Sequence, residues 1–491
     1  MSIAASRPLP RRLAPAWEAW NRFWFRPASP VVLGLIRIVA GSIVLYVHLA
    51  YTVDLQEFFG ANAWIGADDI RVIYQDQPVP RPWTSWDNLP PAPPSRNEQE
   101  KRLMDTWDMP PDQVLSQGQT MWSIWFHVTN PRTMWIIHAA VLLCMFCFTI
   151  GLFTPVTSVL SWIGMISYIQ RSPISLFGLD TMMNIVVLYL IIGQSGAALS
   201  VDRLILRYVR TRRALEAGRT RALDLAPEPR ISANLAIRLI QVNLCCIYLV
   251  SGLSKLAGPS WWQLNAVWLT MANPEFSPLY FPPFYAFLSW LCSHRLLWEI
   301  AICGASLFTL FTEISFAFLV WLPRWRYFMV AMALAMHTGI AIFMGLNTFS
   351  MMMAVMLMSF LPVQVLETAL AKRRLRAPSM TLVLDPTSPR QRRAVACLRA
   401  VDVLEQISIE AATPAVQVAV KGNGRPKPGP ALTLEDASGK RLSGPEALGR
   451  VLTALRLVRP VAWLFKMPPL SRVCAAAFST EARSSEVPLS A

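Results

Sequence analysis

Charged residues are scarce in this sequence of 491 residues. Asp, Glu, Lys and Arg together make up 15% of it, whereas hydrophobic residues make up 54%. Soluble globular domains carry roughly 25% charged residues, so the low charge excludes a soluble enzyme. The high apolar content excludes a disordered chain, because disordered chains are poor in hydrophobic residues. The composition therefore predicts a polytopic membrane protein.

Cysteine is also scarce, and its spacing is not typical of a disulfide framework or a zinc site. Of the eight cysteines, Cys144 and Cys147 have the spacing of a redox pair. They lie inside an apolar run, where a thiolate is poorly solvated, so we interpret them as packing residues. No compact basic segment with interleaved aromatic residues occurs, and we expect no nucleic-acid partner. The expected partner is the lipid bilayer.

Apolar runs of bilayer length predict an all-α bundle with about eight transmembrane helices. They lie at residues 31–52, 133–152, 155–170, 180–199, 233–254, 297–321, 327–345 and 347–365. Arginine clusters before the first span, in the loop at residues 200–231 and after the last span should be cytoplasmic, while the acidic loop at residues 54–131 should lie outside. An even number of spans satisfies these assignments and places both termini on the cytoplasmic side of the inner membrane.

Two regions outside the spans should lie at the membrane interface. Residues 1–30 contain Trp17, Trp20 and Trp24 mixed with arginine at near-helical spacing, which predicts an interfacial helix. Residues 276–291 are apolar but short and broken by proline, so we interpret them as a re-entrant or interfacial segment on the outer side.

Ionisable side chains inside the predicted spans are candidate functional groups, because each costs on the order of 3 kcal/mol at membrane depth. They are Arg37, His48, His138, Asp180, Arg238, Lys255, Glu299, Glu313 and His337. The alternative is that the charged groups pair with one another or reach water at helix ends, and that the histidines are hydrogen-bonded packing residues.

The fifth span is the most informative, because its polar residues share one face. Gln241, Cys245, Tyr248, Gly252 and Lys255 recur at alternating spacings of four and three, so they lie on one side of a helix that should face the bundle rather than lipid. A lysine in an apolar environment can lose its proton and act as a base. The alternative is a lysine that reaches water from the helix end.

The segment from Tyr248 to Trp268, which includes Lys255 and the Trp261-Trp262 pair, resembles the signature of the HTTM family. That family is the bacterial membrane domain related to vitamin K-dependent gamma-carboxylase. Further matches lie at residues 33–41, 58–66, 171–180 and 337–349. The resemblance covers roughly residues 15–368, and it implies an HTTM-like membrane domain over residues 31–368.

In the carboxylases, the lysine that matches Lys255 deprotonates reduced vitamin K. The resemblance therefore implies a site for a quinol near the outer leaflet, with Lys255 as base and Tyr248 beside it. The residues that it implies for binding are Gln241, Arg171, Asp180, Trp261, Trp262 and His337. Pro173 stands about where the carboxylases have a functional histidine, and no segment here replaces their large lumenal domain.

Residues 379–482 resemble the DCC family of small thioredoxin-like α/β proteins, in which a strand, a Cys-x-x-Cys motif and a helix follow one another. Here Ser388 and Gln391 stand where the cysteines should be. Thiol–disulfide exchange needs a thiolate, so this cytoplasmic domain should be redox-inactive. Cys397 is expected in its core, and residues 483–491 are expected to form a disordered tail.

Two functions follow from these expectations. The first is a carboxylase-like or quinol-dependent membrane enzyme with Lys255 as base. The second is a non-catalytic membrane partner that helps to mature, export or anchor a peptide or protein. A transporter is a weaker alternative, because no internal repeat is evident. The enzyme is favoured if Lys255 lines a closed apolar cavity with Tyr248 and a second titratable group, and disfavoured if Lys255 points into the headgroups.

Overall fold

The computed structural model describes residues 14–66, 69–70, 79–80, 114–115, 122–220, 225–274, 281–375, 380–385, 388–411, 433–435, 441–455 and 457–459. The chain divides into two compact units. The first comprises residues 1–196 and 229–360, and the second comprises residues 197–228 and 361–491. The predicted tail at residues 483–491 lies outside the described residues.

Most of the described chain is α-helical. In chain order the helices are α1 (Ala14–Phe25), α2 (Val31–Ala50), α3 (Leu55–Phe59), α4 (Pro131–Ile150), α5 (Thr154–Arg171), α6 (Gly178–Ile192), α7 (Val201–Glu216), α8 (Ile231–Leu256), α9 (Pro259–Trp262), α10 (Ala266–Met271), α11 (Pro282–Ser293), α12 (Arg295–Leu319), α13 (Pro323–Met344), α14 (Asn347–Leu357), α15 (Val363–Leu375), α16 (Pro389–Val401) and α17 (Gly444–Ala454). Short 3₁₀ helices lie at Ile124–Phe126, Pro173–Ser175, Ser195–Ala197 and Met358–Phe360.

Within the described residues, five helices are long and apolar enough to cross a membrane, namely α2, α4, α8, α12 and α13. Each of the other three predicted spans is also helical. However, α5 is rich in serine and threonine, and α6 has only 15 residues. The eighth predicted span comprises α14, the 3₁₀ turn at Met358–Phe360 and the start of α15. These helices fit a multi-pass membrane protein, and the count of eight crossings remains a prediction.

The outward faces of the long helices are apolar. On α12 the side chains of Leu296, Ile300 and Phe318 are more than half exposed, and so is Ile342 on α13. A surface of this kind is costly in water, whereas lipid tails accept it without penalty. These helices thus have apolar side chains both on the face that packs against neighbouring helices and on the exposed face.

Helix α8 ends where Gly258 and Pro259 interrupt the pattern, and short helices α9 and α10 follow. The predicted interfacial segment at residues 276–291 overlaps α11, whose Phe284 and Leu288 pack with Met271 of α10. Residues 275–280 lie outside the described part of the chain. The helical part of this segment therefore packs against α10 within the first unit.

The second unit contains a four-stranded mixed sheet. Its strands are β3 (Met380–Leu384), β4 (Ile407–Ala411), β5 (Thr433–Glu435) and β6 (Arg441–Ser443), in the spatial order β4-β3-β5-β6. Strands β3 and β4 are parallel and are joined through α16, whereas β5 runs antiparallel to both β3 and β6. A separate pair of two-residue strands, β1 (Val79–Pro80) and β2 (Val114–Leu115), belongs to the first unit. The small α/β architecture expected near the C-terminus is present.

Helix α7 also belongs to this second unit, although its residues fall in the loop that we predicted at residues 200–231 as part of the membrane domain. Leu215 lies in the same apolar core as the strands. The buried Arg207 guanidinium donates to the carbonyl oxygens of Arg399, Ala400 and Asp402 at 3.1, 3.0 and 2.7 Å. These are carbonyls at the end of α16 that no further helical turn can pair. The loop is therefore a structural part of the C-terminal unit.

The two positions at which a Cys-x-x-Cys motif was expected have structural roles here. Ser388 is the N-cap of α16, and its hydroxyl accepts a hydrogen bond from the Gln391 amide nitrogen. The Gln391 side chain accepts one from the Asp385 amide nitrogen at 2.7 Å. The prediction that Cys397 lies in the core is wrong, because its side chain is exposed on α16. The helix turns Val395, Ala396 and Leu398 inward instead.

Candidate functional site

An ion pair joins α8 to α12 inside the first unit. Lys255 Nζ lies 2.8 Å from each carboxylate oxygen of Glu313. The side chain of Glu313 is only 7% exposed and that of Lys255 is 24% exposed. Ser251 bridges the two groups, because its hydroxyl accepts from Nζ at 2.6 Å and donates to Oε1 of Glu313 at 3.1 Å. The expected free lysine is thus a hydrogen-bonded, partly buried ammonium.

The pair forms because the two helix backbones approach closely at Gly252. A Cβ atom at this position would lie 2.7 Å from Cγ1 of Ile314 and 3.2 Å from Cβ of Glu313. Small residues at helix interfaces allow this approach in membrane bundles. Gly252 precedes Lys255 by three residues, so the approach is closest on the face that carries the lysine.

A second polar pair lies further along the same face. The Tyr248 hydroxyl is 2.9 Å from Nε2 of His337 on α13, and both residues are almost completely buried. Nδ1 of His337 is buried without a hydrogen-bond partner. Tyr248 precedes Lys255 by seven residues, about 10 Å along the helix, and its ring packs edge-on against Phe316 of α12, three residues after Glu313. Acid–base groups from three helices therefore face one region.

A small cavity lies elsewhere in the first unit. It is lined by His48, Tyr51, Tyr168 and Asp180, among others, and has room for roughly one water molecule. Lys255 does not line this cavity, so the cavity is not the closed apolar chamber around Lys255 that would favour the enzyme.

Asp180 lines this cavity, and neither Asp180 nor Arg171 contacts Lys255. The two residues and the groups around the cavity form a second polar cluster. Arg171 is buried and donates to the Gly60 carbonyl at 2.8 Å, while Asp180 accepts from the Phe177 amide nitrogen at 3.1 Å. Nearby, His138 links Thr52 to the Tyr168 hydroxyl at 2.9 and 2.6 Å. The resemblance implied that Arg171 and Asp180 are near the lysine, and no direct contact joins them.

Phe349 connects the two clusters. Its ring packs edge-on against His337, and a Cβ atom on Gly178 would lie 2.9 Å from it. Gly178 begins α6, two residues before Asp180. The aromatic ring thus stands between the Tyr248–His337 pair and the end of α6.

The remaining predicted binding residues have different positions. Gln241 is buried and donates to the Ser359 carbonyl at 2.7 Å, which makes it a packing residue between helices. The Trp261 ring centroid lies 5.5 Å from Lys255 Nζ, within cation–π range. Trp262 is 71% exposed, and its indole nitrogen donates to the Leu256 carbonyl. Of these three, only Trp261 contacts the lysine.

The residues that complete the site were only partly visible in the sequence. Glu313 is one of two acids in an apolar span, and this signal placed it among the candidate ionisable groups. Nothing in the spacing identified Lys255 as its partner. Ser251 gave no signal, because serine is common in membrane helices.

Within the described residues, no group of three or more His, Cys, Asp and Glu side chains is arranged to hold a metal ion. Comparison of the chain with protein-family models, curated proteins and solved structures gives no match. The functional argument therefore depends on the site itself.

Proposed function

We propose that this chain is a multi-pass membrane protein of the HTTM type, whose bundle carries an acid–base site at Lys255 and Glu313 for a lipid-soluble quinol. The observation that carries the proposal is the buried ion pair with its bridging Ser251. A buried ion pair is weak evidence of a role in stability, because apolar residues of similar size often stabilise a protein as well or better. An ionisable group inside a membrane helix is costly to keep there, and this cost makes it a candidate for a functional role.

The proposed topology has eight crossings and cytoplasmic termini. Helices α4, α5 and α6 follow one another with short connections, and charge asymmetry orients the chain. Helix α6 has 15 residues, or about 22 Å, against a hydrocarbon core of about 30 Å. Local thinning of the bilayer accommodates such a mismatch at modest cost.

The residues present fit a quinol. His337 Nδ1 is a buried polar atom without a partner, and it can exchange a hydrogen bond with a hydroxyl oxygen. Trp261 offers an aromatic face beside Lys255. The partial exposure of Lys255 leaves its ammonium reachable from outside the bundle. A bound quinol supplies an acidic hydroxyl and, after oxidation, the redox chemistry of the ring.

The ion pair has to rearrange before Lys255 can act as a base. In an apolar environment the charged pair and the neutral pair are closer in energy than in water, because charges lose their solvation. Transfer of one proton from Nζ to Glu313 produces an amine. That amine can take the proton of a hydroxyl, and the resulting ammonium then stabilises the oxyanion. The net proton acceptor is Glu313.

The C-terminal unit fits a thioredoxin-like domain that lacks redox activity. A strand–helix–strand segment with parallel strands precedes an antiparallel hairpin and a helix, which is the order of the thioredoxin fold. Ser388 and Gln391 replace the thiols. We propose that this unit has a binding or structural role.

The second candidate is a non-catalytic partner for maturation, export or anchoring of a peptide or protein. The closed Lys255–Glu313 pair favours it, because the pair already satisfies both charges and lies away from the described cavity.

An ionisation assay separates the two candidates. Purified protein is mixed with a lipid-soluble naphthohydroquinone without oxygen, and the ionised fraction of the hydroxyl is read by absorbance across pH. We expect wild type to ionise the probe at lower pH than detergent alone, and Lys255→Gln to lose this effect. Arg295→Gln is the matched control, because it also removes one positive charge from an ion pair. Arg295 and Glu299 form that pair on the exposed surface of α12.

Two results would reject the acid–base site. One is an unchanged probe in the presence of wild type, and the other is an equal shift with folded Lys255→Gln. Either result leaves the non-catalytic partner as the function. Mass spectrometry of the purified protein for a bound quinone then tests the cosubstrate directly.

A further inference from the structure

Toward the other end of α8 from Lys255 lies a group of buried hydrogen-bond donors that have no acceptor. Arg238 stacks over the ring of Phe23 in α1, with 4.4 Å between its guanidinium carbon and the ring centroid, and lies 6.0 Å from the ring centroid of Trp321. Its Nη1 donates to Gln241 at 2.9 Å. Its Nε is buried without a partner.

A second guanidinium faces the same place. Arg326 on α13 lies beside the same aromatic group, because its Nε donates to the carbonyl of Val320, the neighbour of Trp321, at 3.3 Å. Within the part of the chain that the structure describes, neither arginine forms an ion pair with a carboxylate. Two guanidinium groups that face one partly buried region repel each other, and an anion bound between them would offset this repulsion.

The indole of Trp24 adds another unmatched donor. Its ring packs edge-on against Phe23, the residue beneath Arg238, and its Nε1 is buried without a partner. Helix α1 is fixed here because Asn234 donates to the carbonyls of Phe23 and Trp24 at 2.7 and 2.9 Å. Arg238 Nε and Trp24 Nε1 are both hydrogen-bond donors, so this region lacks an acceptor.

From these contacts we infer that Arg238, Arg326 and Trp24 form a binding site for the phosphate of an anionic phospholipid headgroup. Arginine binds phosphate through paired, charge-assisted hydrogen bonds. Arg238 lies about 10 Å from the start of α8, and Arg326 lies in the first turn of α13, so both are near helix ends. In the proposed orientation these are cytoplasmic ends, where headgroups are found, and tryptophan is enriched at this depth. The inference uses this orientation and is independent of the acid–base site.

The test is native mass spectrometry of the full chain, released from detergent with phosphatidylglycerol, phosphatidylcholine or inorganic phosphate. We expect wild type to retain phosphatidylglycerol in preference to phosphatidylcholine, and Arg326→Gln to retain it about tenfold less, as expected for the loss of a charge-assisted contact. Arg324→Gln removes the same charge two residues away on an exposed position and should behave as wild type. Arg238→Gln should resemble Arg326→Gln.

Arg326→Gln is the decisive variant if Arg238→Gln fails to fold, because Arg326 makes only a backbone contact. Equal losses in Arg324→Gln and Arg326→Gln would show non-specific attraction and overturn the inference. Retention of inorganic phosphate without preference for phosphatidylglycerol would overturn the lipid as the source of the phosphate. Failure of the ionisation assay for Lys255 would leave this result unaffected.

Discussion

Removal of one partner of the Lys255–Glu313 pair should be worse than removal of both. Breaking a buried pair costs about 3–5 kcal/mol when the remaining charge stays buried. Glu313 is 7% exposed and Lys255 is 24% exposed, so the two single variants should differ. Lys255→Met leaves a buried carboxylate and should cost close to about 3 kcal/mol. Glu313→Gln leaves an ammonium that can turn toward the exterior, and we expect about 1–2 kcal/mol.

The double variant Lys255→Met with Glu313→Leu removes both charges and keeps apolar volume. It should be close to wild type in stability, because the desolvation cost of both charges is also removed. The assay is thermal unfolding in one detergent, with the four proteins forming a double-mutant cycle. Additive losses in the double variant would refute the reasoning, since they would mean that the two side chains stabilise the bundle independently.

Further predictions concern helix packing and the C-terminal unit. Gly252→Val should lower the melting temperature and weaken the Lys255–Glu313 pair, at a cost of about 1–3 kcal/mol from overpacking, whereas Gly304→Ala on α12 meets no atom within 4 Å and should not destabilise. Arg207→Met should destabilise the C-terminal unit by about 2 kcal/mol or more, because several buried carbonyls lose their donor. Arg213→Met is the control, since Arg213 is exposed on the same helix. Equal unfolding midpoints of the two variants would contradict this prediction. Ser388→Ala should cost about 1 kcal/mol through loss of the N-cap, measured by denaturant unfolding. Although the Cys397 side chain is exposed, desolvation by the protein around its thiol raises the pKa of that thiol above its ordinary value. Alkylation by a maleimide at neutral pH should therefore be slower than for a free cysteine and should accelerate as pH rises. A rate equal to that of free cysteine would contradict this prediction.

The sequence anticipated local structure better than tertiary contacts. The spacing of Gln241, Tyr248 and Gly252 predicted a face directed into the bundle, and all three residues are buried. The helical character of each predicted span was also readable, because long apolar runs leave few alternatives. The register of α8 against α12 was not readable, since many residues on each helix are apolar and none specifies a neighbour.

The same limit explains the differences at the C-terminal end. Arg207 was assigned to a cytoplasmic loop from charge alone, because no sequence pattern reveals that its guanidinium reaches carbonyls nearly two hundred residues away. Cys397 was assigned to the core because free cysteine is usually buried. The phase of α16 instead places Val395 and Leu398 inward and leaves the cysteine outside.

Infrared difference spectroscopy of Glu313 tests the acid–base site most directly. On addition of a naphthohydroquinone to reduced, oxygen-free wild type, we predict the carbonyl band of a protonated carboxylic acid, and this band should be missing in Glu313→Gln. A carboxylate that keeps its spectrum when the probe is added, or a band that persists in Glu313→Gln, would contradict proton transfer through the Lys255–Glu313 pair.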